Sequence, residues 1–267
     1  NKNIASLKVF SGSERLFIKH SSSYFKKQLI HHSINNLSRH GKYIIFHLSG
    51  NTSIYNAEKD PKESLISTLF PIIQLTNASK KLSHIPRVVF SSTATVYGLT
   101  EALPVLESRQ PNPITTYDLH KFFAEQQLLV ASSANIINAI TLRLANVYGP
   151  SPTESLAQDR GILSKITRMR FEHKDLHIYG NGEYLRDYIY IDDVVNAFLH
   201  ASVMNYGTLI DKKNIILNVA SGTGTSVKEV FSLISHEVEK ITGIGGVINL
   251  SLIHISEPTR RTPISYA

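Results

Sequence analysis

The feature that most constrains this chain is a buried strand that runs directly into a cluster of hydroxyl side chains. Residues 87–90 read Arg-Val-Val-Phe, and such a run is typical of a strand that is covered on both faces. Hydroxyl residues then crowd positions 91–95. Ligands of open parallel sheets bind beyond the carboxyl ends of the strands. The segment therefore predicts a ligand-contacting sheet edge in an α/β fold.

A Tyr-x-x-x-Lys pair follows in a predicted helix, residues 117–128. The spacing of four places Tyr117 and Lys121 on one helical face, one turn apart. An ammonium at that distance favours the phenolate, so we expect the pKa of Tyr117 to fall from about 10 toward neutrality. A tyrosine tuned in this way can serve as general base or acid for a sugar or alcohol hydroxyl.

The same pattern occurs a second time, at Tyr55 and Lys59. A lone Tyr-x-x-x-Lys match carries little information in a chain with many tyrosines and lysines. Tyr55 has no hydroxyl-rich strand end upstream at a suitable distance, whereas Tyr117 does. The catalytic prediction therefore goes to Tyr117.

Composition excludes several functional classes. The sequence has no cysteine and no run of 18 apolar residues, which suits a cytoplasmic enzyme that does not span a membrane. The net charge of +7 invites a nucleic-acid interpretation. The charges are scattered and no nucleic-acid motif is present, so we expect no nucleic-acid partner. A positive surface also suits a small anionic ligand. No metal site is predicted.

Residues 90–98 (Phe-Ser-Ser-Thr-Ala-Thr-Val-Tyr-Gly), together with the Tyr117/Lys121 pair, resemble the extended short-chain dehydrogenase/reductases, and within them the NAD-dependent nucleotide-sugar epimerases of the UDP-glucose 4-epimerase type. The resemblance spans roughly residues 43–234. It implies a doubly wound, Rossmann-like parallel sheet with a smaller substrate-binding lobe. It also implies an isomerase that holds NAD and inverts a carbon of a nucleoside diphosphate sugar through a transient keto-sugar.

The resemblance also assigns roles to residues of the first half of the chain. Tyr117 would take the proton of the sugar hydroxyl, Thr93 would hydrogen-bond the same oxygen, and Lys121 would hold the nicotinamide ribose. The end of the predicted strand at 42–50, residues 47–50, matches a family segment that lies against the cofactor. A structural role for its histidine stays open, and Thr68 stands where many members have an asparagine. The cofactor-binding set is His47, Leu48, Ser49, Gly50, Ser91, Tyr117 and Lys121.

Two residues of the second half are predicted to bind substrate along with Thr93. Asn146 matches the asparagine of the family segment Arg-x-x-Asn-x-Tyr-Gly-Pro, although an Asn/Gly/Pro turn without a ligand is the alternative. Arg186 begins a segment similar to the family's Arg-Asp-Tyr. Its planar fork suits a diphosphate, and a surface ion pair with Asp187 is the alternative.

The predicted organisation has three parts. Residues 1–150 form a partial dinucleotide-binding domain, 151–240 mainly the nucleotide-sugar lobe, and 241–267 a non-native or disordered tail. No glycine-rich phosphate turn is found before Gly50, so we expect the sheet to be incomplete at its N-terminus. A non-catalytic fragment that binds nucleotide-sugar without cofactor is one alternative.

Other reactions of the same family are a further alternative. The family's 4,6-dehydratases carry an Asp-Glu pair directly after the catalytic threonine, where this chain has Ala94 and Thr95. No acid is expected there, which favours an epimerase over a dehydratase, with a reductase or decarboxylase behind both. Homodimers are common in the family, and nothing in the sequence decides the oligomeric state.

Overall fold

The computed structural model describes residues 43–51, 53–100, 103–150, 161–204 and 214–251. The predicted absence of a glycine-rich phosphate turn before Gly50 concerns mainly residues 1–42, which lie outside these ranges. Most of the predicted tail, 252–267, also lies outside them.

The largest sheet has four strands in the order β1-β2-β3-β7. They are β1 (Ile44–His47), β2 (Arg87–Thr93), β3 (Asn138–Leu144) and β7 (Asn214–Val219). β1 and β2 pair in parallel, with Ile44 opposite Arg87 and His47 opposite Phe90. This register brings the ends of β1 and β2 to the same edge of the sheet. The α/β class predicted from the sequence is confirmed.

Three helices accompany this sheet: α1 (Ile54–Lys59), α2 (Pro61–Ser79) and α3 (Thr116–Ser133). Asp60 caps α2 by accepting the Glu63 N–H, and Pro61 stands in the first turn, where its missing N–H costs nothing. Pro71 lies inside this helix on its buried face, and α2 runs through it to Ser79. Its ring removes one backbone hydrogen bond, while packing of the buried face supports the helix on both sides of it.

The core of this region joins the inner faces of β2, α2 and α3. Val88, Phe90 and Leu128 are fully buried within it. Burying side chains of this size stabilises the fold by about 1.5–3 kcal/mol each. The remaining buried members of the cluster are Ile72, Leu75, Ala124, Ala131, Ile137 and Ala139.

Two small sheets occupy the rest of the described chain. One has the order β4-β6-β8 and the other pairs β5 with β9. The strands are β4 (Asn146–Tyr148), β5 (Leu176–Tyr179), β6 (Leu185–Tyr190), β8 (Gly224–Ser226) and β9 (Ile248–Ser251). β4 and β6 pair in parallel, and β6 and β8 pair antiparallel. β9 pairs in parallel with β5, so ordered structure extends to residue 251, beyond the predicted boundary at 240.

The described part of the second half contains the helices α4 (Ile162–Phe171), α5 (Ile191–Val203) and α6 (Val227–Thr242). Ser226 and Glu229 form a reciprocal capping box at the start of α6. Asp192 and Asp193 stand in the first turn of α5, where their charge favours the positive helix end.

The chain divides into two compact units, each of which is discontinuous in sequence. The first contains the described residues up to Val96, those of Pro111–Arg143 and those of Phe198–Leu217. The second contains those of Tyr97–Gln110, Leu144–Ala197 and the described residues from Asn218 onward. Within the described ranges, no helix is both long and apolar enough to cross a membrane.

Candidate active site

The start of α3 positions the predicted Tyr/Lys pair. Thr115 is the N-cap, and its hydroxyl accepts the Asp118 N–H at 3.2 Å. Helical geometry then places Tyr117 in the first turn and Lys121 one turn later on the same face. Both side chains belong to the first unit, as does the end of β2.

Thr93, the last residue of β2, meets Tyr117. The Thr93 side chain is near enough to the Tyr117 phenol to lower its pKa by hydrogen bonding. The Thr93 hydroxyl accepts the Thr95 N–H at 3.2 Å and lies 2.9 Å from the Thr95 hydroxyl. The two residues predicted to act at the reacting oxygen are thus neighbours.

Lys121 completes the predicted catalytic set at the end of β2. Its Nζ donates to the Ser91 carbonyl at 2.9 Å and lies 5.0 Å from the centre of the Phe90 ring. The residue is only 4% exposed. Burial lowers the pKa of Lys121 to about 8, although the Glu125 carboxylate acts in the opposite direction. Near neutral pH the side chain therefore still carries its charge, in surroundings that disfavour it.

The predicted fall in the pKa of Tyr117 was wrong in direction. Burial, followed by the charge of Asp118, raises the pKa of Tyr117 above its ordinary value. The hydrogen bond from Thr93 works the other way and is the weaker influence. The sequence argument considered one neighbouring charge, whereas desolvation of the phenolate is the larger effect in this fold.

Asp118 is the functional candidate that the sequence reasoning missed. Its carboxylate accepts a short hydrogen bond from the Thr95 hydroxyl, and the residue is 1% exposed. An acid therefore does stand beside position 95, although it comes from the helix and not from the strand end. The available signals were an acid next to Tyr117 and a threonine two residues before it, which indicate a helix cap. Neither reveals that the carboxylate faces Thr95.

A buried ion pair lies one helical turn beyond Lys121. Glu125 accepts two hydrogen bonds from Arg143, from Nε at 3.1 Å and from Nη2 at 2.6 Å. The Ser92 hydroxyl donates to the same carboxylate at 2.5 Å. Glu125 and Arg143 are almost completely shielded from water. The three side chains tie β2 and β3 to α3, immediately behind the Lys121 ammonium.

The predicted cofactor segment, 47–50, follows β1 on the same edge. The His47 ring stacks on Phe90 with 5.5 Å between ring centres. Burial, followed by the charge of Lys121, lowers the pKa of His47 to about 3, so the imidazole is neutral at physiological pH. Its Nε2 is buried and makes no hydrogen bond to any part of the chain that the structure describes.

Gly50 brings the backbone of this segment close to Lys121. Its φ of +133° is a conformation that side chains rarely adopt. A Cβ built there would lie 3.6 Å from Lys121 Nζ and 3.4 Å from the Thr68 hydroxyl. The intervening Leu48 is exposed and Ser49 is partly exposed. Thr68 in turn accepts the Asn51 N–H at 3.3 Å, so it holds the loop after β1.

The second Tyr-x-x-x-Lys match lies on α1. Tyr55 is 69% exposed and Lys59 is also exposed. A tyrosine in water keeps its phenol solvated, which offers none of the shielding found around Tyr117. The structure thus gives the two matches different environments.

The sequence was compared with family models and known proteins. The model of the NAD dependent epimerase/dehydratase family matches residues 30–215. The chain belongs to this family. Among the proteins it resembles is the UDP-glucose 4-epimerase of Mycolicibacterium smegmatis, at 28% identity over 73% of this chain and 60% of the relative. The UDP-glucose 4-epimerase of Azospirillum brasilense is 31% identical over 55% of this chain and 44% of the relative.

A solved structure gives the same result at the level of fold. The Thermotoga maritima UDP-glucose 4-epimerase with UDP-glucose superposes with a TM-score of 0.71 at 27% identity, covering 88% of this chain and 71% of that one. The chain spans about 60% of the length of the Mycolicibacterium relative.

The second unit of this epimerase/dehydratase family member contains the other predicted binding residues. Asn146 opens β4, and its Nδ2 donates to the Asp187 carbonyl at 3.0 Å. The Asp187 carboxylate accepts the main-chain N–H groups of Ser221 and Gly222, each at 2.8 Å. Asp187 thus orders the turn before β8. The neighbouring Arg186 is partly exposed and donates from Nη1 to the Leu185 carbonyl at 2.9 Å.

Proposed function

We propose that this chain carries out NAD-dependent 4-epimerisation of a UDP-sugar. The observation that carries the proposal is that the Tyr117 phenol and the Thr93 hydroxyl are neighbours, with Lys121 one helical turn away on the same helix. Membership of the NAD dependent epimerase/dehydratase family supports this type of chemistry. The relatives from Mycolicibacterium and Azospirillum are named UDP-glucose 4-epimerases, which supports that choice within the family.

The residues around Lys121 fit the nicotinamide half of NAD. Gly50 leaves the space that a Cβ would fill, 3.6 Å from Lys121 Nζ, so a ligand can approach the backbone there. The buried Nε2 of neutral His47 is an unused hydrogen-bonding atom in the same segment. Lys121 would hold the ribose hydroxyls, and residues 47–50 and Ser91 would line the site. When bound, NAD supplies the hydride acceptor and the returning hydride.

Tyr117 and Thr93 would handle the proton of the sugar hydroxyl. Tyr117 takes that proton as the hydroxyl carbon is oxidised, and it gives the proton back when the opposite face of the keto-sugar is reduced. Thr93 would hydrogen-bond the same oxygen. This step needs the phenolate form of Tyr117, and burial of the phenol, which raises its pKa, opposes that form.

Asn146 and Arg186 are proposed to bind the nucleotide-sugar. Arg186 offers a guanidinium fork that can make paired hydrogen bonds to a diphosphate. Asn146 is held by its Nδ2, and its Oδ1 is the atom that would accept from a sugar hydroxyl. A cytoplasmic location and a homodimer stay predictions.

The experiment is direct conversion. The full chain is incubated with NAD and UDP-glucose, and the nucleotide-sugars are separated by chromatography. Appearance of the 4-epimer, dependent on the protein, is the expected result. Substrate recovered unchanged, from protein that retains its Tm, contradicts the proposal. If a Tm increase with UDP-glucose accompanies unchanged substrate, the non-catalytic binding fragment is the better interpretation.

A 4,6-dehydratase is the second candidate, because the structure removes one argument against it. The sequence offered no acid at positions 94 and 95, yet the Asp118 carboxylate contacts the Thr95 hydroxyl. The same incubation separates the two reactions. A dehydratase would yield a 4-keto-6-deoxy sugar with loss of water, whereas an epimerase yields a product of unchanged mass.

A further inference from the structure

A chain of hydrogen bonds leads from Thr93, beside Tyr117, to a buried carboxylate. The Thr93 side chain influences the Tyr117 phenol, and its hydroxyl lies 2.9 Å from the Thr95 hydroxyl, which in turn donates to Asp118 Oδ1. Each of the two threonines has one proton and two lone pairs. The donor and acceptor in each of these hydrogen bonds therefore depend on whether Asp118 is protonated.

When Asp118 is ionised, its carboxylate can only accept hydrogen bonds. Thr95 must give its single proton to Asp118, so Thr93 must give its own proton to Thr95. Thr93 already accepts the Thr95 N–H, which leaves one lone pair for Tyr117 or a bound oxygen. In this state Thr93 can accept a hydrogen bond at the reacting oxygen but cannot donate one.

Protonation of Asp118 reverses the direction. Asp118 then donates to Thr95, Thr95 donates to Thr93, and the Thr93 proton turns toward Tyr117 or the bound oxygen. One proton enters at the carboxylate, and no O–H bond of either threonine is lost when the hydroxyls rotate. A keto oxygen carries no proton and can only accept, so a donating Thr93 stabilises it.

We propose that Asp118 is a positioning residue which, acting through Thr95, determines whether Thr93 accepts or donates a hydrogen bond at the reacting oxygen. The proposal rests on the proposed function for its kinetic consequences, but the hydrogen-bond chain itself can be tested without catalysis. Burial raises the pKa of Asp118, which brings its titration closer to the working range.

The groups that face Asp118 are few among the described residues. The Thr95 hydroxyl comes from the turn after β2, and Thr115 faces the Asp118 carboxyl with both its hydroxyl and its backbone N–H; these hydrogen bonds lower the pKa of Asp118. Glu58 on α1 adds a negative charge that further raises the pKa of Asp118. Its carboxylate is held by Thr116, through the N–H at 2.7 Å and the hydroxyl at 2.9 Å. Tyr117 is the adjacent side chain on the helix.

Three variants distinguish an effect transmitted through the hydrogen-bond chain from a direct effect of the Asp118 charge on Tyr117. Thr95→Val is nearly isosteric and removes the linking hydroxyl while keeping the Asp118 charge. Thr95→Ser restores the hydroxyl and is the matched control. Asp118→Asn keeps an acceptor for the helix cap and can donate through its amide, which imitates the protonated carboxylate. Tm values of all three verify that the fold is retained.

The first readout uses the protein without cofactor or substrate. The ¹³Cζ resonance of Tyr117, identified by its loss in Tyr117→Phe, is followed against pH together with the Asp118 carboxyl resonance. In wild type and Thr95→Ser, the Tyr117 resonance should move at the pH at which Asp118 titrates. In Thr95→Val, Asp118 should still titrate while the Tyr117 response falls to a small part of its wild-type size. Glu58→Gln should shift both transitions to lower pH.

The second readout is kcat against pH with UDP-glucose and NAD. The ratio of Asp118→Asn to wild type should fall by about 10-fold as wild-type Asp118 becomes protonated, because one donor at a developing oxyanion is worth at least that factor. KM should stay within about twofold, since binding and transition-state effects separate in this way. Thr95→Val should flatten the same pH transition and Thr95→Ser should restore it.

An equal Tyr117 response in Thr95→Val and wild type would overturn the proposal, because a charge effect alone would then explain it. A ratio of Asp118→Asn to wild type that does not change with pH would overturn it as well. If wild type makes no epimer but the resonance behaviour is as expected, the proposed function fails and the hydrogen-bond chain stands.

Discussion

Replacing Lys121 by methionine should stabilise the protein while removing its activity. The ammonium is 4% exposed and its pKa falls from 10.5 to about 8, chiefly through burial. One pKa unit corresponds to about 1.4 kcal/mol, so the charged form costs roughly 3 kcal/mol of folding free energy at neutral pH. The hydrogen bond to the Ser91 carbonyl, lost in the variant, offsets about 1.5–3 kcal/mol of this gain.

The pH dependence of the unfolding free energy isolates the effect of the Lys121 charge more sharply than the free energy at a single pH does. Below about pH 8 the folded and unfolded chains both hold the Lys121 proton, so the full cost is present. Between about pH 8 and 10.5 the folded chain releases the proton first, and wild type gains stability. The difference in unfolding free energy, Lys121→Met minus wild type, should therefore decrease by up to about 3 kcal/mol across this range.

Urea denaturation followed by circular dichroism, at a series of pH values, measures this difference. Lys62→Met serves as the control, because Lys62 is an exposed lysine on α2 of the same unit. Its difference from wild type should not change with pH. If the Lys121→Met difference is equally flat, Lys121 is not held as a buried ammonium, and its assigned role at the site loses its physical basis.

Three further predictions follow from the same contacts. Glu125→Gln should destabilise the fold by about 3–5 kcal/mol in urea denaturation, because it leaves the buried Arg143 charge without its partner; Glu172→Gln, at an exposed ion pair with Lys174, should change little. Arg186→Lys should raise KM for UDP-glucose by about 10-fold with kcat nearly unchanged, because the paired hydrogen bonds are lost. Arg168→Lys on α4 is the control. An unchanged KM in Arg186→Lys would show that Arg186 does not bind the substrate. The His47 imidazole should show the ¹⁵N shifts of a neutral ring between about pH 5 and 8, because burial lowers its pKa to about 3; a charged ring in that range would contradict its placement beside Lys121.

Local patterns in the sequence predicted the elements around the site well. β3 at Asn138–Leu144 and α4 at Ile162–Phe171 begin and end where their apolar patterns do. The four-residue spacing of Tyr117 and Lys121 placed both on one helical face, and the hydroxyl cluster marked the end of β2. These features depend on neighbours in the sequence, which is why they could be read from it.

The features that were missed depend on contacts between distant residues. Thr95 and Asp118 meet across 23 positions, and no local pattern reports which way a carboxylate at a helix start will face. The predicted direction of the Tyr117 pKa shift was wrong for a related reason. A sequence names the charges near a phenol, but the degree of burial, which is the larger influence, is set by the packed fold.

Substitution of Tyr117 by phenylalanine tests the central assignment most directly. The variant keeps the ring and loses only the hydroxyl that contacts Thr93. We expect conversion of UDP-glucose to its 4-epimer to fall by about 100-fold or more, while the Tm increase caused by UDP-glucose is retained. A Tyr117→Phe protein that forms the epimer at the wild-type rate would show that this phenol does not carry the proton.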